Sequence, residues 1–196
     1  RPRYLILEAI SGLFFVFIAY LMGLNIYNLE IIKIIEYMFF VLYFTFIILM
    51  AGIDKESRTI NKPVLMYGVI ISIMYIVYLY IIEKTSIYRY VIYLTLLLII
   101  LILDTIRLKK KAKNSYTYSI LMVIIVMAVF TGEYTTIASI VTTLLSVAIT
   151  LLINKLRKNK TVKTTEQYNK NIKLGLYLSI ANILYFILIL SYYKFI

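Results

Sequence analysis

The sequence predicts an all-α protein, a polytopic bundle of about seven membrane-spanning helices with its N-terminus in the cytosol and its C-terminus outside. Three observations carry this expectation. Of 196 residues, 63% are hydrophobic and the mean hydropathy is +0.92, whereas a soluble domain runs nearer about 45–50% apolar. The apolar runs are long and lack period-2 alternation, which selects helices over a barrel as the way to satisfy backbone groups in lipid. The basic residues are also sharply partitioned between alternate loops.

A helix needs about 20 apolar residues to cross the hydrocarbon core. The first such run covers 4–27. Arg1, Pro2 and Arg3 precede it as they would a signal peptide, but no small-residue cleavage site follows, so it reads as a first span. Further runs cover 32–53, 64–83, 88–106, 116–132, 135–154 and 173–193. The fifth is the shortest, and Gly132 and Glu133 form the only break before the sixth. All seven belong to one transmembrane domain, 1–196, with no linker and no convincing tandem repeat.

Charge sets the orientation. Of the 21 basic residues, 17 fall at the N-terminus and in the second-to-third, fourth-to-fifth and sixth-to-seventh loops. Lys33, Lys84, Arg89 and Lys194 are left for the other side. Short loops rich in Lys and Arg stay cytosolic, so the chain reads as a multi-pass protein of a prokaryotic cell membrane. The net charge of +12 is explained by anionic lipid beside these loops and calls for no nucleic acid. Tyrosines near run ends, such as Tyr88, Tyr90, Tyr116, Tyr118, Tyr192 and Tyr193, fit an interfacial belt.

Composition also removes whole classes of chemistry. With no Cys and no His, there is no disulfide, thiolate nucleophile, imidazole base or His/Cys metal site. A resident metal would be a hard ion held by oxygen. Carboxylates inside a membrane are expensive and draw attention. Glu8, Glu36 and Asp104 fall within or just inside runs, but each has a plain ion-pair explanation: Arg1 or Arg3 for Glu8, Lys33 for Glu36, and Arg107 one turn away for Asp104. The most informative stretch is the loop 51–63. Asp54 and Glu56 there can hold Mg²⁺ through oxygen, and Arg58 and Lys62 can meet phosphate oxygens. The plain alternative is an ordinary charged turn, ended by Pro63 in the first turn of the next helix.

The pattern Asp54-x-Glu56-x-x-x-Ile60-Asn61-Lys62-Pro63 resembles the first aspartate-rich motif of the UbiA superfamily of intramembrane prenyltransferases, roughly N-D-x-x-D-x-E-x-D-R-I-N-K-P. In that family too the motif follows the second span on the cytosolic side. The segment Leu103-Asp104-Thr105-Ile106-Arg107-Leu108-Lys109-Lys110 is similar to the family's L-Y-S-x-R-L-K-R after the fourth span, and Arg1-Pro2 is similar to its R-P start. The resemblance covers about residues 1–132. It implies transfer of an isoprenoid chain from a prenyl diphosphate to an acceptor, with Asp54 and Glu56 at Mg²⁺ and with Arg58, Asn61, Lys62, Arg107 and Lys109 at the diphosphate.

The sequence also departs from the family pattern. Met50 and Ala51 stand where the motif begins N-D, and Arg58 stands at its last Asp. The segment 154–166, where the family carries its second aspartate-rich motif, has no Asp. Two further readings therefore stand beside the enzyme. One is a non-catalytic UbiA-like protein that binds a prenyl diphosphate or other anionic lipid, or serves as a subunit beside a further membrane protein. The other is an unrelated small transporter, although neither Pro2 nor Pro63 breaks a helix in mid-span.

Overall fold

The computed structural model describes residues 2–24, 30–57, 60–83, 87–109, 116–157 and 173–195, with 2–10, 57, 83, 87, 104, 107–109 and 154–157 described by backbone alone. Among these residues there are six helices: α1 (Pro2–Leu21), α2 (Ile31–Ser57), α3 (Lys62–Glu83), α4 (Ile87–Lys109), α5 (Tyr116–Arg157) and α6 (Leu174–Phe195). The protein is all-α as expected, but among the described residues there are six helices, not the seven expected. The runs at 116–132 and 135–154 belong to one element, α5.

The reason lies at Gly132. Its φ of 80° and ψ of 168° depart from the helix, and glycine reaches such positive φ at little cost. The departure occupies one residue. The helix resumes beyond it, and the Thr136 hydroxyl donates to the Gly132 carbonyl at 2.8 Å. The chain nevertheless doubles back there. Ile120 and Ile124 line one small cavity together with Ile140 and Leu144, whereas Ile120 and Ile140 would stand about 30 Å apart on a straight helix. α5 is therefore two antiparallel arms joined without a loop.

Among the described residues, four helices are long and apolar enough to cross a bilayer: α2, α3, α5 and α6. In α1 and α4 the described apolar stretches are shorter, Ser11–Leu21 and Tyr88–Leu103. The four indicate an integral, multi-pass membrane protein. Their outer faces agree: Ile73, Val77 and Ile81 form an exposed stripe along α3, an arrangement tolerable only where the solvent is itself apolar.

α2 lies at the centre, with Tyr43, Phe44, Phe46, Ile47 and Met50 fully buried. Phe130 of α5 stacks between Tyr43 of α2 and Tyr75 of α3, each with ring centroids 4.6 Å away. Offset aromatic stacks of this kind add about 0.5–1.5 kcal/mol each beyond their area.

Side-chain contacts define two ends of the bundle. At one, Asp54 of α2 meets the start of α6, Tyr116 at the start of α5 meets Gly175, and Lys62 of α3 lines a cavity with Thr105 of α4. At the other, Tyr78 of α3 donates to the Ile32 carbonyl at 3.2 Å. There too the Gly132 bend meets Arg89 of α4, and Lys194 of α6 lies over the Tyr20 ring of α1 at 3.2 Å.

Candidate functional site

The stretch expected to be a loop from Ala51 is helical as far as Ser57. Asp54 therefore sits on a helix, near the end of α2, and is fully buried. Its Oδ2 accepts the Leu176 N–H at 3.0 Å. Leu176 lies in the first turn of α6, where N–H groups have no partner within the helix and where the helix dipole favours a negative charge. Asp54 thus caps α6 from a different helix. Gly175 permits the approach: a Cβ there would lie 2.9 Å from Met50 Sδ and 3.0 Å from Asp54 Oδ2. Gly175 N–H in turn donates to the Tyr116 hydroxyl at 3.3 Å, which also faces Asp54. The second carboxylate oxygen, Oδ1, is buried without a hydrogen-bond partner.

Glu56 takes a different course. Two residues along a helix is about 200° of rotation, and Glu56 is exposed while Asp54 is buried. The two carboxylates expected to share Mg²⁺ are not brought together. Among the described residues, no group of three or more His, Cys, Asp or Glu side chains converges.

The cationic candidates divide between described and undescribed positions. Arg58 lies outside the described residues, as do the side chains of Arg107 and Lys109, whose backbones occupy the last turn of α4. Asn61 precedes α3, its carbonyl accepting the Val64 and Leu65 N–H groups at 3.1 and 3.2 Å. Pro63 stands in the first turn of that helix, as its missing N–H suggests. Lys62 is exposed, and it shares a cavity of about 70 Å³ with Leu101 and Thr105. The start of α3 and the end of α4 therefore do meet. Lys55 and Lys173 lie near the α2 and α6 ends joined by Asp54. The side chains of Glu8 and Asp104 lie outside the description. Lys33, expected beside Glu36, pairs with Glu30 at 3.1 Å.

Two features escaped the sequence reading. The first is a buried polar junction in mid-bundle: Tyr43 donates to Asn182 Oδ1 at 2.6 Å, and Asn182 Nδ2 donates to Thr131 at 3.1 Å and Ser139 at 3.4 Å. Asn182 is fully buried, and such bonds knit helices together where lipid offers no alternative partner. A lone Asn in an apolar run was its one sequence signal. The second is a cavity of about 530 Å³ beside the Gly132 bend, signalled only by the Gly-Glu pair between two runs. Compared with models of known protein families, with curated proteins and with solved structures, the chain matches none.

Proposed function

We propose that this protein binds an anionic long-chain lipid of the prenyl diphosphate class at the Asp54 end, holding the headgroup with fixed cations and not catalysing its transfer. On this reading it is a non-catalytic UbiA-like protein, working alone or beside a further membrane subunit. The Asp54 end faces the cytosol and the C-terminus lies outside.

The observation that carries the reading is the engagement of Asp54. Its Oδ2 is held by the start of α6, and Glu56 points elsewhere. Lys55, Lys62 and Lys173 remain at that end, and Arg58, Arg107 and Lys109 add to the same charge in the sequence. Lys and Arg hold phosphate oxygens by charge-assisted hydrogen bonds without a metal.

The test is titration of the purified protein with a labelled prenyl diphosphate, in Mg²⁺ and in EDTA. Binding is expected to ignore EDTA, to weaken about fivefold for each cation removed in Lys62→Gln and Lys173→Gln, and to release no diphosphate. The prenyltransferase is the second reading, with Asp54 and Glu56 at Mg²⁺ and transfer to an acceptor. It is favoured by the orphaned Oδ1, because a buried oxygen without a partner invites a water or an ion. Mg²⁺-dependent diphosphate release that disappears in Asp54→Asn would establish it. Absence of any binding would sink both readings.

A further inference from the structure

We infer that the cleft between α3 and α4 at the Asp54 end holds the first part of the lipid's hydrocarbon chain, with Lys62 at the junction of chain and headgroup. This deepens the lipid-binding reading above and rests on it.

The cleft follows from how α3 is packed. α3 lies mainly against α2 and α5 and touches α4 only lightly. A cavity of about 70 Å³ remains between α3 and α4. Its floor is apolar, with Leu65, Val69 and Met122 buried. Its rim is exposed, with Lys62 and Met66 on the α3 side and Thr105 on the α4 side. Leu101 and Thr105 also line a second groove, of about 240 Å³, along the exposed α4 residues Leu98, Ile102 and Ile106. Cleft and groove share this wall, and together they open sideways to the bilayer.

The direction suits a chain that descends from a headgroup. α3 begins at this end and α4 finishes there. Lys62 to Val69 on α3 and Thr105 to Leu98 on α4 each cover about 10 Å of helix. Both runs lead away from the Asp54 end into the membrane. The hydrocarbon core is about 30 Å thick, so the protein guides the part of a long chain nearest the headgroup and leaves the rest in lipid.

Charge selects the headgroup. Among the described residues, Lys62 is the only charged one that lines the cleft. The Thr105 hydroxyl donates to the Leu101 carbonyl at 2.7 Å, so the lysine ammonium is the polar group left for a ligand. Lysine lays its stem along apolar surface and keeps its head in water. An ammonium at the mouth of an apolar cleft matches an anion that carries a hydrocarbon chain.

The absence of tryptophan from the chain makes a local assay available. Met66→Trp places the sole fluorophore on the rim of the cleft. Ile180→Trp places it on the exposed side of α6, away from the cleft. Each protein is reconstituted in phosphatidylcholine vesicles and titrated with a farnesyl diphosphate analogue that carries a nitroxide on its first isoprene unit. Saturable quenching of Met66→Trp is expected, with weak, non-saturating quenching of Ile180→Trp. Lys62→Gln in the Met66→Trp background should raise the half-saturating concentration about fivefold, the contribution of one cation at a membrane surface. The matching nitroxide alcohol, which keeps the chain and lacks the diphosphate, should quench both reporters alike and without saturation. Equal quenching of the two reporters by the diphosphate, with binding intact in the titration above, would overturn the cleft and leave the lipid-binding reading standing. An unchanged half-saturation in Lys62→Gln, or saturable quenching of Met66→Trp by the alcohol, would overturn the assignment to an anion. No saturable binding of the diphosphate in either assay would sink the reading and this inference together.

Discussion

Replacing Asp54 by alanine separates a structural carboxylate from a metal-binding one. The substitution removes the acceptor of the Leu176 N–H and withdraws a negative charge from the start of α6. Loss of a cap costs about 0.5–2 kcal/mol, and hydrogen bonds to a charged group contribute about 1.5–3 kcal/mol. Both describe the same contact, so they are not summed, and about 2 kcal/mol is the expected loss. For a chain of this length that lowers the melting midpoint by about 4–8 °C. Asp54→Asn keeps an acceptor oxygen while losing the charge, and should lose about half as much. The assay is thermal unfolding in detergent micelles followed by far-ultraviolet circular dichroism, with Mg²⁺ and with EDTA. The destabilisation should be the same in both. An Asp54→Ala protein as stable as the parent would refute the cap, and a wild-type midpoint that rises with Mg²⁺ only while Asp54 is present would refute its purely structural role.

Three further outcomes follow from the geometry. Gly132→Ala forces a Cβ into a conformation with φ of 80° and ψ of 168°; it should cost about 1–3 kcal/mol, read as a lower unfolding midpoint and a weaker antiparallel contact between Ile124→Cys and Ile140→Cys in a crosslinking pair. Asn182→Leu leaves the Tyr43 hydroxyl without its acceptor and should destabilise by about 1–2 kcal/mol, whereas Asn182→Leu combined with Tyr43→Phe should recover part of the loss. Because the chain has no cysteine, single Lys55→Cys and Tyr193→Cys variants can be labelled with a membrane-impermeant maleimide in intact cells. Labelling of Tyr193→Cys but not Lys55→Cys is expected, and the opposite pattern would overturn the proposed orientation.

The fold class was legible because run length and hydropathy are properties of the chain itself, and lipid leaves a hydrophobic segment few options. The helix count was not. Gly132 was visible as a break, but sequence alone does not reveal whether a break is a loop or a single residue outside the helix. The stretch from Ala51 was misread as loop for a related reason. Its charges suggested water, yet Asp54 is buried against the start of α6, more than 100 residues onward, a contact no local pattern announces. Pro63 was placed correctly in the first turn of α3 because its signal is a local one of backbone chemistry. The Arg89–Glu133 pair joins residues 44 apart, each unremarkable by itself.

The bend in α5 also has a bearing on how the chain is built. With one residue between its arms, α5 has no hydrophilic loop at its turn, so the two arms are tied as one unit. Glu133 rides at the tip of that unit, and the cation that meets it, Arg89, belongs to α4, which is synthesised earlier. Along the chain the counter-charge therefore comes before the carboxylate it meets.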